Sequence, residues 1–253
     1  MPATNRWCIL GSPRTGSNLL EEAIFLGMPK INNGLKIGLR EYLGQDYHWY
    51  YDDSGEDHTY QHNYEDEFRI NFRKNILNTM ISNPDTGFVL RVFFEPWFGC
   101  DKNYIEFLKT LEQQHFNFIK LKRNLFDKII SLTMSHYTNL WQRTINGLDE
   151  EVFAINGNRI VANKQTKVTI PLTKFAKNYY YYTKMYDYYF DLYSKDITCF
   201  DVNYETMEED CKKLNIPFSL ETSYIKTYKD DYADIIENYR ELKDYFEELK
   251  QHG

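Results

Sequence analysis

The chain has 253 residues, 26% of them charged and 42% hydrophobic, with a formal net charge of −7 and a mean hydropathy of −0.63. That length suits a single α/β domain, and the acidic balance argues against a nucleic-acid or anionic-membrane partner, so any polyanionic ligand must find a local basic niche. No stretch reaches the length that spans a bilayer, and Met1, Thr4, Asn5 and Arg6 lead into apolar sequence without the pattern of a secretory signal, so a cytoplasmic location is expected.

Taken in chain order, Trp7 to Leu10 is short and apolar enough for a buried strand. A Gly- and Ser-rich turn follows, and Leu19, Leu20, Ala23 and Ile24 then recur at helical spacing. The stretch "GFVLRVFFEPW" (87–97), introduced by "NPDTG", is dense in β-formers and predicts a second strand. A helix over 103–114 leads to "FNFIKLKR", a third strand ending at Arg123, and a long helix starts near Leu125 with Ile129, Ile130, Leu132 and Met134. "ITCFDVNYE" (197–205) predicts a fourth strand. Strands alternating with helices imply an open parallel sheet flanked by helices on both faces, with ligands beyond the strands' C-terminal ends. Gly11, Glu95, Arg123 and Tyr204 would lie along that edge. Residues 45–68 hold eight acids, three histidines and no Lys or Arg, which reads as a solvated loop. The tyrosine-rich 178–193 segment reads as helix packing, and 232–251 as an amphipathic C-terminal helix that packs on the body or supports a homodimer. No linker or repeat divides the chain, so one domain is expected over 1–253, with 45–86 and 145–195 as acceptor-side insertions.

The turn after the first strand reads "GSPRTGSN". Its glycines supply permissive dihedrals, and backbone N–H groups at a helix N-terminus favour an anion. Gly11 and Gly16 keep the spacing of an NTPase P-loop, but Ser17 and Asn18 stand where that motif has Lys and Ser/Thr. The cation sits inside the loop instead, as Arg14 after Pro13.

At this point the chain resembles the PAPS-dependent sulfotransferases, closest to the bacterial trehalose-type branch with Pro-Arg in the loop. "GSPRTGSNLL" is similar to the family's 5'-phosphosulfate loop, and the resemblance implies that Ser12, Pro13, Arg14, Thr15, Gly16, Ser17 and Asn18 bind the donor. "FIKLKRNLFDKIISLTMS" resembles the 3'-phosphate site, implying Arg123 and Ser131 as its ligands. "VNYETM" resembles the Tyr-Glu segment after the fourth strand, and Trp141 has a counterpart in the same branch. "LREYL" (39–43) is similar to the segment carrying that branch's catalytic base, which implies Glu41; His48 and Glu95 are reserves. The implied fold is the sulfotransferase fold, and the implied reaction moves a sulfuryl group from PAPS to a hydroxyl, leaving PAP, with Arg14 and Glu41 catalytic and no metal. The aromatics and carboxylates of 45–68 favour a sugar or small polyol as acceptor. Two rivals stay open: a kinase-like phosphotransferase and a non-catalytic nucleotide- or protein-binding module.

Other chemistry-bearing residues are set aside. Arg91, within "FVLRVFF", suits a carboxylate pair as well as a ligand contact, and Asp201 in "ITCFD" imitates a Walker B strand without the P-loop lysine. His58 and His62 could share a helix face for metal, but a solvated loop is favoured. Cys8, Cys100, Cys199 and Cys211 show no C-x-x-C pairing, so neither disulfide nor zinc is expected.

Overall fold

The computed structural model describes residues 5–29, 36–41, 47–52, 57–61, 78, 80–82, 86–93, 101–138, 151–155, 158–162, 167–222 and 232–252. They gather into two compact units, Met1–Lys122 with Tyr189–Thr222, and Arg123–Tyr188 with Ser223–Gly253.

The first unit is an α/β body on a seven-stranded sheet. The middle of its five parallel strands is β1 (Arg6–Gly11), every residue of which is buried, because parallel neighbours cover both edges and helices both faces. β5 (Gly87–Phe93) and β6 (Asn117–Lys122) flank it in parallel, and β9 (Cys199–Asn203) pairs parallel with β6. The four predicted strands therefore pair as an open parallel sheet, second beside first, then third and fourth. β2 (Lys36–Glu41) extends it in parallel beyond β5, with a register shift between Gly38 and Glu41. β3 (Tyr47–Asp52) and β4 (Asp57–Gln61) add an antiparallel hairpin. Over 47–52 and 57–61 this corrects the solvated loop expected across 45–68: the Tyr, Trp and Thr residues there are β-formers, and strand pairing outweighs the density of acids. His58 consequently lies in a strand opposite Tyr50, without the helical spacing a shared metal face would need.

Alternation along the strands divides the apolar residues between two layers. Trp7, Ile9, Val89, Ile119, Leu121 and Val202 cluster with Leu20 and Ile24 of α1 (Ser17–Gly27). Cys8, Leu10, Phe88, Leu90 and Val92 cluster with Leu108 and Leu111 of α2 (Asp101–Gln113). Each fully buried aliphatic side chain contributes roughly 1.5–3 kcal/mol, so the two layers rather than helix propensity hold α1 and α2 in place. Burial raises the thiols of Cys8, Cys199 and Cys211, the last two to about 11 and about 12, which keeps them unreactive at neutral pH.

The 216–220 segment crosses the end of α1. Ser219 N–H donates to the Ala23 carbonyl at 2.9 Å, and a Cβ at Gly27 would fall 2.3 Å from the Phe218 nitrogen. Glycine is required there by that close approach.

The second unit begins with Arg123 and Asn124, then α3 (Leu125–Thr138). Asn124 caps the helix by accepting from Asp127 N–H at 3.3 Å. β7 (Glu151–Ile155) and β8 (Asn158–Ala162) form a two-stranded hairpin. α4 (Leu172–Tyr180) continues through a π-helical turn, Tyr181–Tyr186, into α5 (Asp187–Ser194), whose residues from Tyr189 belong to the first unit. The aromatic cluster is core, as expected: Tyr179, Tyr182 and Tyr186 pack with Phe126, Phe175 and Phe246. Lys128 is buried beneath the π-turn, its amino group 4.4 Å from the centre of the Tyr182 ring and 3.4 Å from the half-exposed Asp187 carboxylate.

In the first unit α6 (Met207–Lys213) follows β9 and a 3₁₀ turn at Tyr204–Thr206. The C-terminal pattern becomes α7 (Tyr232–Ile235) and α8 (Tyr239–His252) of the second unit. Leu242, Phe246 and Leu249 bury their apolar stripe in that unit's own core. Among the described residues no helix is long and apolar enough to cross a membrane.

Candidate functional site

The site is built outward from the end of β1. Gly11 closes the strand, residues 12–16 form the bend, and Ser17 opens α1. Arg14 and Gly16 both take left-handed dihedrals, φ 68° and 87°, with Thr15 between them. Alternating handedness turns successive N–H groups toward one side, an anion-binding concavity. For arginine such a φ is uncommon and costs roughly 1–2 kcal/mol, so the loop's shape outweighs the residue's preference.

Two further features hold the bend. The Thr15 hydroxyl donates to the Ser12 carbonyl at 2.7 Å, and Thr15 is 1% exposed. That hydroxyl proton is committed within the loop, which leaves Thr15 its backbone N–H to offer a ligand. At the helix start, Gly16 lacks a side-chain cap, and the first ladder bond runs from Leu20 N–H to the Gly16 carbonyl at 3.1 Å. The N–H groups of Ser17, Asn18 and Leu19 precede that ladder, and α1 carries no acid in its first turn.

Beneath the loop lies a buried ion pair. Arg91 of β5 puts its Nε 2.6 Å from Glu21 of α1, with both side chains 3% exposed or less. Its Nη1 donates to the Ser17 hydroxyl at 3.3 Å. Arg91 thus takes the carboxylate partner that its place in a buried strand demands. Glu21 belongs to this arrangement but carries no sequence signal, since a Glu within an amphipathic helix reads as solvated.

Above the loop, Tyr204 lies against Gly16: a Cβ at Gly16 would meet Tyr204 Cδ2 at 2.3 Å and Cε2 at 2.4 Å. Its turn is tied down by Asp210, which accepts from Asn203 N–H at 2.8 Å, the Thr206 hydroxyl at 2.9 Å and the Asn203 amide at 3.2 Å. These bonds, the Asn203 N–H foremost, hold the Asp210 carboxyl below its ordinary value. A cavity of about 300 Å³ opens beside Tyr204, lined by Leu19, Met207, Phe218 and Leu220 with Glu205 and Thr222.

Glu41 ends β2 at the register position beside Arg91, itself beside Ile9 of β1. Two strand spacings of about 4.8 Å thus separate the Glu41 backbone from β1, near the edge where the loop leaves. β2 and β3 pair Ile37 with Asp52 and Gly38 with Tyr51. His48 lies in β3 opposite Tyr60 of β4. Glu95 and Trp141 lie outside the described residues.

Arg123 directly follows β6, and Ser131 sits in the second turn of α3, 2% exposed. Both belong to the second unit. Asp201 lies in the middle of β9, two strands from β1, and pairs with Lys122 at 2.9 Å.

No family model, curated protein or solved structure matches this chain. The loop offers successive N–H groups beside Arg14, and the Glu41 backbone ends β2 near the same edge of the sheet.

Proposed function

We propose that this protein is a PAPS-dependent sulfotransferase acting on a hydroxyl acceptor, with carbohydrates and small polyols foremost. The observation that carries the proposal is the loop: two left-handed residues, one of them Arg14, between a central parallel strand and a helix whose first N–H groups precede its ladder. A nucleotide triphosphatase would place a lysine after Gly16, and this chain places its cation within the bend.

In this mechanism the N–H groups from Arg14 to Asn18, with the Ser12, Ser17 and Asn18 side chains and the ring of Pro13 shaping the bend, hold the donor's 5'-phosphate. PAPS supplies the activated sulfuryl group, and the acceptor oxygen bonds to sulfur as the sulfur–oxygen bond to the phosphate breaks, leaving PAP. Arg14 neutralises the charge that gathers on the departing phosphate, the kind of contribution that is usually largest. Glu41 takes up the acceptor's proton. Arg123 and Ser131 carry the 3'-phosphate assignment, which rests on their sequence pattern and fits a guanidinium with a hydroxyl two helical turns on. A departing sulfuryl group carries less charge than a phosphoryl group, so arginine serves where a kinase uses magnesium.

Calorimetry with PAP and with magnesium ATP tests this directly. Metal-free PAP binding that is much tighter than magnesium ATP binding is expected, and the reverse order overturns the proposal in favour of a phosphotransferase. Arg14→Ala should cut turnover roughly 100- to 1,000-fold, as losing an oxyanion donor does. A variant turning over at the parent rate removes Arg14 from the mechanism.

A further inference from the structure

The Arg91–Glu21 pair occupies an expensive position. Arg91 shares its strand face with Val89 and its register level with Ile9, in the layer that packs on α1. Glu21 lies one turn beyond Ser17 on the same side of α1 and is 1% exposed. An apolar pair would fill this layer at lower desolvation cost, since buried ion pairs seldom stabilise more than their hydrophobic replacements. Arg91 does something besides pairing, however: its second nitrogen reaches Ser17 at the mouth of the loop.

A guanidinium has donors and no acceptor. When Arg91 donates to the Ser17 oxygen, the hydroxyl proton must point elsewhere, and among the described residues nothing accepts it. Ser17 is 4% exposed, so an unaccepted proton there is not satisfied by bulk water. Glu21 fixes the fork from the other end, with Arg91 Nε 2.6 Å from its carboxylate and Nη1 3.3 Å from Ser17. The pair's positive member is the one touching the loop residue, in the same sense as the dipole of α1.

We infer that Arg91, locked by Glu21, is a positioning residue that turns the Ser17 hydroxyl into a dedicated hydrogen-bond donor for an anion held by the 12–18 loop. This rests on the phosphate-binding role assigned to that loop above, though not on which phosphate compound it takes. Lysine cannot replace Arg91, because a single ammonium on a flexible stem does not reach Glu21 and Ser17 with a planar fork.

The test is a double-mutant cycle read by calorimetry, with PAP and inorganic pyrophosphate as the probes and thermal melts as the check on folding. Ser17→Ala should weaken binding roughly tenfold, as loss of a charge-assisted hydrogen bond does. Arg91→Lys should weaken it by a similar factor, and the double variant by no more than the larger single effect. Multiplying effects, or an Arg91→Lys variant that binds like the parent, overturn the inference. Ser17→Ala removes only one oxygen, so unchanged affinity in that variant also overturns it, even where Arg91→Lys fails to fold. If the parent binds pyrophosphate but not PAP, the sulfotransferase proposal falls while the cycle still decides the role of Arg91. If it binds neither, both fall.

Discussion

The loop region of the first unit and the aromatic core of the second solve opposite problems. Around residues 12–17 the chain accepts left-handed backbone and a buried ion pair, each costly by itself. Around Phe126 it accumulates apolar contact: the ring lies 5.3 Å from Phe246, 5.5 Å from Tyr239 and 5.7 Å from Phe175. The buried cations follow suit, since Arg91 has a carboxylate as buried as itself, whereas Lys128 leans on a tyrosine ring and a half-exposed Asp187. One region holds charge in a fixed shape and the other holds volume, so substitutions in the two should fail differently.

The largest effect belongs to the aromatic core. Phe126→Ala should cost about 3–5 kcal/mol in urea unfolding, the transfer energy plus the cavity left behind. A loss under about 1 kcal/mol would mean that the cluster collapses to fill the gap, and the contrast with the loop would disappear.

Gly16→Ala should cost about 1–3 kcal/mol, combining the left-handed strain with the collision on Tyr204. Adding Tyr204→Ala should recover the collision part alone. Full recovery by the second substitution would show that the backbone conformation is cheap and that only the ring matters.

Lys128→Met should change stability at neutral pH by no more than about 1 kcal/mol, because an apolar replacement of a weakly paired buried charge is close to neutral. Burial lowers the Lys128 pKa from 10.5, against an opposing pull from Asp187. The folded state therefore releases that proton before the unfolded chain does, so stability gains from Lys128 as pH climbs toward 10.5. The parent's unfolding free energy minus the methionine variant's should rise from pH 8 to 10.5, and parallel curves would remove Lys128 as the cause.

How much was legible varies with the kind of signal. β1, the loop and α1 could be read because an apolar run, two glycines at fixed spacing and a helical stripe follow one another within 20 residues. β2 to β4 hid behind polar sequence: "KIGLRE", "YHWYYD" and "DHTYQ" carry neither clean alternation nor an apolar run, and sheet membership comes from pairing with a distant β5. The β7–β8 hairpin lay in a segment that matched nothing, although Asn156-Gly157 between "EVFAI" and "NRIVA" is a strong short-range hairpin signal. Arg91's need for a carboxylate was legible from its buried strand, but its partner Glu21 was not, since no local pattern joins two charges 70 positions apart. Arg14 and Glu41 were named through resemblance, and the sheet supplies the backbone position of each.

The crossing of Phe218 over Gly27 has a consequence during synthesis. Those two positions are about 190 residues apart, so the ribosome releases α1 long before the segment that will cross it emerges. Until Cys199–Asn203 and the stretch to Thr222 arrive, the nascent sheet lacks its β9 margin and α1 lacks part of its cover. The interval between is filled by Arg123–Tyr188 of the other unit, which itself waits for Ser223–Gly253 to bring Leu242, Phe246 and Leu249 to its core, so the first unit's chain is complete before the second's.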